Sequence, residues 1–463
     1  MIPDPAALTL ATSRAEFLIA LFPIVQALWI GAFGACVGSL VNVLVYRLPL
    51  GLDVVTPSSR CPNCETKLTW RENIPIFGWL FLRGKCRFCR SSISPEYPIV
   101  EAFTAFLWMA VFLVLYAENG RFLGLNLAPL GPTWGDAGLR YTWPSFVVVV
   151  GLFSCLVAVT LIDARTFHIP MSLVIVPVAL ALVAHPLHAL WVEFRLPGAS
   201  LPRIRNGWEW TIATPGPTGW RWIGAGLGGG LGVVVSNLLL ARGIIRRSFA
   251  DYDAWAASHP DRPSSDGGAS PDSHSESAAP ADAPEMWTQY PHARREMVRE
   301  LVFLGPIIAL ALAGSWLAAS FAGPWTANPI SLDFEPRLQA PLWLSVLGGV
   351  LLGYLVGGGL VWAMRIFGSL AFGKEALGLG DVHLMAAVGA CLGWIDSVLG
   401  FFGAAFVGVI WAVVSRLFSG AFQRHLPFGP YLAIATVLVW FFKPQIIVLL
   451  NMMTKVSPKL TIP

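Results

Sequence analysis

Charged side chains are scarce in this sequence of 463 residues. Asp, Glu, Lys and Arg make up only 13% of the chain against 55% hydrophobic residues, and the mean hydropathy is +0.64. A soluble globular protein of this length rarely shows such a balance. The net charge of +4 is small, and no feature of the sequence supports binding to nucleic acid. We therefore expect the lipid bilayer to be the environment of this protein.

Long apolar runs divide the sequence into about ten candidate membrane spans, because roughly 20 apolar residues are needed to cross the hydrocarbon layer. These runs cover approximately residues 17–46, 98–117, 144–164, 169–192, 222–245, 300–322, 341–370, 382–395, 397–418 and 430–451. The first run is too long for a secretory signal and lacks a basic start, so we expect it to be retained. The sequence predicts an all-α polytopic membrane protein with about eight to ten transmembrane helices and a small zinc-ribbon-like loop domain.

The loop between the first two runs, residues 47–97, carries eight Lys or Arg against four Asp or Glu. The positive-inside rule places this loop in the cytoplasm. Counting crossings from there puts both Asp163 and Asp381 on the cytoplasmic side. The connection 246–298 falls on the same side, and its middle part is Ser, Pro, Ala, Gly and Asp with almost nothing apolar, which predicts a disordered linker.

These features predict five regions along the chain. They are a first transmembrane segment (1–46), a cytoplasmic four-cysteine domain (47–97), a transmembrane region with Asp163 (98–245), a polar linker (246–298) and a transmembrane region with Asp381 (299–463).

Four of the seven cysteines form two closely spaced pairs, Cys61-Pro-Asn-Cys64 and Cys86-Arg-Phe-Cys89. Two such knuckles supply the four thiolates of a tetrahedral zinc site. A loop of about 50 residues has too small a core to fold by burial alone, and a structural Zn²⁺ supplies the missing free energy. Two disulfides or four buried thiols are the other interpretations. The cytoplasmic placement argues against the first of these and the doubled spacing against the second.

Two aspartates stand at the edges of apolar runs, where acidic residues are costly and therefore candidates for function. Asp163 ends one run, and Asp381 follows Gly378-Leu379-Gly380. Two carboxyl groups that share one proton can hydrolyse a peptide, because one activates water while the other hydrogen-bonds the scissile carbonyl. The structural alternatives are a helix-end residue paired with Arg165 for Asp163 and a helix cap for Asp381.

An ordered series of motifs resembles the type IV prepilin peptidase family, a branch of the GxGD aspartic proteases. The series, which covers about two thirds of the chain, comprises Gly38 to Asn42, Arg47 to Pro49, Cys61 to Glu101, Asp163 with Ile169-Pro170, Gly378 to Leu384, and Pro427 to Tyr431.

The resemblance implies that Asp163 and Asp381 are the catalytic pair and that Cys61, Cys64, Cys86 and Cys89 hold Zn²⁺. It implies cleavage of the basic leader of prepilin and pseudopilin precursors at the cytoplasmic face of the bacterial inner membrane. It further implies methylation of the new N-terminus from S-adenosylmethionine, although no glycine-rich loop typical of a dinucleotide site is present.

The sequence departs from the family pattern in spacing. Asp381 follows Asp163 by 218 positions, more than the compact family arrangement has, and the excess includes two candidate spans and the polar linker. Two other interpretations remain open: a presenilin-like intramembrane protease, and a membrane zinc scaffold or transporter without hydrolytic activity. The cysteine loop and the Phe-Gly-Pro segment argue against the first of these, and the presence of both aspartates argues against a scaffold.

Overall fold

The structure is a computed structural model. It describes residues 5–56, 58–117, 121–127, 130, 134, 138–195, 212–215, 219–250, 292–322, 326–327, 334–335, 338, 340–373, 376–419 and 427–454. Most of the predicted linker, from residue 251 to residue 291, lies outside these described residues.

The described chain is almost entirely helical. The helices are α1 (Pro5–Arg47), α2 (Phe77–Phe81), α3 (Glu96–Tyr116), α4 (Leu139–Thr166), α5 (Met171–Arg195), α6 (Gly219–Ala241), α7 (Ala293–Phe321), α8 (Leu342–Phe372), α9 (Leu379–Leu392), α10 (Trp394–Ser419) and α11 (Gly429–Thr454). Two short antiparallel hairpins complete the described elements. They are β1 (Arg121–Phe122) with β2 (Leu125–Asn126), and β3 (Thr326–Ala327) with β4 (Phe334–Glu335).

Nine helices in the described part of the chain are long and apolar enough to cross a membrane. This confirms the predicted all-α polytopic class. The run predicted at 382–395 forms α9, which has only 14 residues. Gly393 ends this helix with a φ of +98°, a conformation that side chains other than glycine rarely adopt. Because α9 is about 21 Å long at 1.5 Å per residue, it is shorter than the hydrocarbon layer.

The described chain forms two compact units. The first comprises described residues within Met1–Leu180 and Ala433–Pro463, and the second those within Ala181–Pro197 and Ile212–Leu432. In the first unit, α1 packs along α3 and also contacts α4. Small residues allow this approach, since a methyl group at Gly38 would lie 2.7 Å from the Cα atom of Glu101. The cysteine loop belongs to this unit.

In the second unit, α8 packs against α6, α9 and α10, while α6 lies along α7. The contact between α8 and α9 is made backbone to backbone. A Cβ atom on Gly353 would lie 2.0 Å from the carbonyl oxygen of Gly389, and the reverse substitution would give the same distance. Small residues commonly bring membrane helices this close. The packing fixes α9, which carries Asp381 in its first turn, against the longer α8.

Candidate functional site: a four-cysteine cluster and two buried aspartates

The two cysteine pairs adopt the same local structure. In each, the backbone N–H of the residue after the second cysteine donates to the carbonyl of the first cysteine: Glu65 to Cys61 at 2.8 Å, and Arg90 to Cys86 at 3.0 Å. Glu65 and Arg90 both have positive φ, of 54° and 62°. The repeated turn directs both thiols of each pair to the same side.

The four thiols converge as the spacing predicts. The Sγ atoms of Cys61, Cys64, Cys86 and Cys89 all lie within 4.8 Å of one another. Cys61 Sγ is 3.8 Å from Cys89 Sγ, close to the edge of about 3.8 Å in a tetrahedron with zinc–sulfur bonds of about 2.3 Å. All seven cysteines are free thiols, so the disulfide interpretation is wrong for this structure. The cluster can hold a metal ion, and the donor set fits a soft tetrahedral cation.

Hydrogen bonds favour the thiolate form of one of the four cysteines, Cys89. The Ser91 hydroxyl oxygen lies 3.1 Å from Cys89 Sγ. Together with the backbone N–H of Ser91 and the amide of Asn63, it lowers the pKa of the Cys89 thiol to about 6. A thiol with a lowered pKa loses its proton to a metal more readily, because the thiolate is the ligand.

Glu72, between the two cysteine pairs, makes hydrogen bonds that connect parts of the loop. Its carboxylate accepts hydrogen bonds from the hydroxyl and the backbone N–H of Thr69, and it pairs with Arg87 at 2.9 Å. The Thr69 hydroxyl and then Arg87 lower the pKa of Glu72 to about 2. Arg87 follows Cys86 directly, and Glu72 lies in the segment after Cys64. The ion pair between Glu72 and Arg87 therefore connects the second cysteine pair to the segment that follows the first pair.

Asp163 lies in the first unit, one turn before the end of α4. Its side chain is buried and 5% exposed. Its carbonyl accepts the N–H of Phe167, which adopts the left-handed conformation and terminates the helix. The neighbouring Arg165 pairs with Glu96 at the start of α3. Asp163 is thus buried near the end of a membrane helix, where an ionised side chain costs desolvation free energy.

Asp381 lies in the second unit, in the first turn of α9. The residue is 7% exposed. The helix N-cap is Gly378, so Asp381 is not the cap itself. A methyl group at Gly378 would lie 3.4 Å from a carboxylate oxygen of Asp381, which shows that the carboxylate folds back over this glycine. The positive end of the helix favours an ionised carboxylate there.

Two side chains on successive turns of α8 hold the loop that precedes Asp381. Ser369 Oγ accepts the N–H of Ala376 at 3.0 Å, and the guanidinium of Arg365 donates to the carbonyl oxygen of Leu377. Sequence reasoning did not single out either residue. Nothing in the local sequence distinguishes Arg365 from an ordinary basic helix-end residue, because its role depends on contacts distant along the chain.

Taken together, these features define a class: a polytopic α-helical membrane protein with a four-cysteine metal-type cluster and a buried aspartate behind a Gly-x-Gly turn. Comparison with known families refines this. Residues 32–115 match the model of the bacterial peptidase A24 N-terminal domain, and residues 307–413 match that of the type IV leader peptidase family. The resemblance predicted from the motifs is thus confirmed. The matched segments contain the cysteine cluster and Asp381, whereas Asp163 lies between them.

Individual relatives agree with the family models. The chain is 48% identical over 84 residues to a prepilin leader peptidase/N-methyltransferase of Myxococcus xanthus, covering 18% of this chain and 25% of the relative. It is 32% identical over 166 residues to one from Aeromonas hydrophila, covering 30% and 48%, and 32% identical over 177 residues to one from Pectobacterium carotovorum, covering 33% and 53%. The alignments span about half or less of each relative. No solved structure matches the chain.

Proposed function

We propose that this chain is a prepilin peptidase that cleaves the basic leader of type IV pilin and pseudopilin precursors. One observation carries the proposal: the family-matched cysteine cluster and the family-matched Gly378-Leu379-Gly380-Asp381 turn occur in one polytopic chain. The proposed site faces the cytoplasm at the bacterial inner membrane. This placement rests on the excess of Lys and Arg in residues 47–97.

In this mechanism, Asp163 and Asp381 form the catalytic pair. One carboxylate takes a proton from the attacking water while the other, protonated, hydrogen-bonds the carbonyl oxygen of the scissile peptide. Repulsion between like charges favours one shared proton, so both states are present at once. Burial of both residues and the placement of Asp381 at a helix start support the assignment.

The four cysteines are the proposed ligands of one structural Zn²⁺. Four thiolates complete a tetrahedron and leave no open position for water, so the metal would stabilise the loop and take no part in hydrolysis. The loop has little apolar core of its own: of residues 58–95 only Cys61, Gly78, Gly84 and Cys86 are buried.

A second activity follows from the names of the relatives, which are peptidase/N-methyltransferases. We propose that the chain also methylates the amine exposed by cleavage, with S-adenosylmethionine as the methyl donor. A synthetic peptide that already starts at the cleaved end tests this step separately, because it needs no peptidase. Transfer of labelled methyl groups to this peptide by an Asp381→Asn variant would establish an independent activity, and absence of transfer by the intact chain would contradict it.

The peptidase proposal is tested by cleavage of a pilin-like precursor in membranes that contain the intact chain, Asp163→Asn or Asp381→Asn. Each substitution is expected to abolish cleavage without loss of protein, since amide groups cannot share the catalytic proton. Asp396→Asn is the matched control, because Asp396 is also buried and also lies in the first turn of a helix. If either catalytic variant still cuts, the pair is wrong. If the intact chain cuts nothing, the non-catalytic scaffold becomes the better interpretation.

A further inference from the structure

A buried ion pair in the second unit lies behind the loop that carries Asp381. Arg365 on α8 is 2% exposed and Glu300 on α7 is 3% exposed. The guanidinium donates to the Glu300 carboxylate through Nε and Nη2, at 3.1–3.2 Å. A third nitrogen, Nη1, donates to the carbonyl of Leu377. One side chain therefore connects α7, α8 and the loop before Gly378.

The carboxylate of Glu300 is itself held in place. The indole N–H of Trp362, one turn before Arg365, donates to it at 2.7 Å. The guanidinium carbon of Arg365 lies over the ring of Phe249, 5.6 Å from its centre. These contacts fix the orientation of the guanidinium, in which Nε and Nη2 bind the Glu300 carboxylate and Nη1 binds the Leu377 carbonyl.

Burying two charges costs desolvation that their attraction repays only in part, so a buried ion pair is a poor device for stability alone. Its value is geometric, because a planar guanidinium fixes the direction of every bond it makes. Leu377 is four residues before Asp381, and the preceding residue, Ala376, donates its N–H to Ser369. The two bonds hold the residues just before α9 against α8.

We propose that Arg365, oriented by Glu300, is a positioning residue that sets the place of the Asp381 carboxylate. This inference rests on the proposed function, in which Asp381 is catalytic. A second buried acid lies beside the ion pair on α7. Glu296, one turn before Glu300, accepts the backbone N–H of Phe249 at 2.8 Å and pairs with Arg299.

The test compares Arg365→Lys with the intact chain in lipid nanodiscs. Lysine keeps the charge but has one nitrogen, so it cannot hold Glu300 and the Leu377 carbonyl in the arginine geometry. For a precursor peptide we expect kcat to fall about tenfold to hundredfold while KM changes little, since small displacements of a reacting group have effects of this size. Amide hydrogen exchange in residues 376–381 is expected to become faster. Arg242→Lys, an exposed arginine after α6, is the control.

A second variant protects the test against simple misfolding. The double change Glu300→Leu with Arg365→Met removes both charges together, so no buried charge remains unpaired. We expect this variant to accumulate normally, to unfold near the temperature of the intact chain, and to share the low kcat and fast loop exchange of Arg365→Lys. Unchanged kcat and unchanged loop exchange in both variants would overturn the proposal. A parallel fall of kcat and unfolding temperature without faster loop exchange would make the pair structural only.

These outcomes separate the inference from the proposed function. If Asp381→Asn still cleaves the precursor, the catalytic assignment fails whatever the Arg365 variants do, and with it this role for Arg365. If Asp381→Asn is inactive and the Arg365 variants cut at the intact rate, the catalytic assignment stands and the positioning role alone is rejected.

Discussion

The carboxylate of Glu101 accepts a hydrogen bond from the backbone N–H of Ile76 at 2.6 Å. Glu101 lies one turn inside α3 and is 8% exposed, while Ile76 belongs to the cysteine loop and has a φ of +63°. A β-branched residue adopts this conformation only when its surroundings enforce it. The bond therefore fastens the loop, at a strained point between the two cysteine pairs, to the helices of the first unit. Close by, Asn42 on α1 donates to the carbonyl of Tyr97 in the first turn of α3, at 3.1 Å, which joins the two helices where the loop enters α3.

Replacing Glu101 with alanine is expected to loosen the cysteine loop. The substitution leaves the Ile76 N–H without its acceptor, and loss of a hydrogen bond to a charged group costs about 1.5–3 kcal/mol. Limited proteolysis in membranes should show faster cleavage within residues 48–95. Glu101→Gln is the control, because its amide oxygen can still accept the bond. Equal resistance of the alanine and glutamine variants to protease would show that the bond does not hold the loop.

The close contact of α8 and α9 yields a prediction about two glycines on one helix. Gly353→Ala would place a methyl group 2.0 Å from the Gly389 carbonyl oxygen, so the two helices must separate. We expect destabilisation of at least about 1–3 kcal/mol, typical of overpacked sites. If the proposed function holds, precursor cleavage is expected to be lost as well, since α9 carries Asp381. Gly359→Ala is the matched control on the same helix, because a methyl group there meets nothing within 4 Å.

The control should be neutral or stabilising by up to about 1 kcal/mol, the difference in helix propensity between alanine and glycine. Thermal unfolding of both purified variants measures the difference. A Gly353→Ala protein that unfolds at the same temperature as Gly359→Ala would show that the helices do not require this contact.

Hydropathy and cysteine spacing predicted much of this structure, because each depends on residues close in sequence. The run 341–370 corresponds to α8 (Leu342–Phe372), and the run 98–117 to α3 (Glu96–Tyr116). The doubled Cys-x-x-Cys pattern predicted the thiol cluster, since two turns of the same kind bring four side chains together. Hydropathy did not reveal that residues 379–392 form a short helix, because an apolar run signals burial whether or not the helix crosses the bilayer.

The contacts between residues far apart in the sequence could not be predicted. Arg365 and Glu300 are 65 positions apart, and each resembles an ordinary charge near a helix end. Glu101 belongs to a helix start with two acids, of which only this one is buried. Gly353 lies in a glycine-rich run and Gly389 in a run of small apolar residues, and no local signal marks these two as the residues that touch. Such pairings depend on how the helices pack, which hydropathy leaves open.

Metal content provides the most direct check on the cysteine cluster. We expect the purified intact chain to carry about one zinc ion, because four thiolates complete one tetrahedral site. Each of Cys61→Ser and Cys89→Ser should lose most of it, since a hydroxyl is a poor ligand for zinc. Cys155→Ser is the control, because Cys155 lies within α4, away from the four-cysteine cluster.

Removing the metal should affect the loop before it affects the helices. Structural zinc supplies folding free energy to the residues that bind it, whereas α3 and α4 are held by apolar packing. After treatment with a strong chelator we expect rapid proteolysis within residues 48–95 and little change in helical circular dichroism. Restoring zinc should restore resistance in the intact chain and not in Cys61→Ser. A loop that stays resistant without metal would show that Glu72, Glu101 and their partners suffice to hold it.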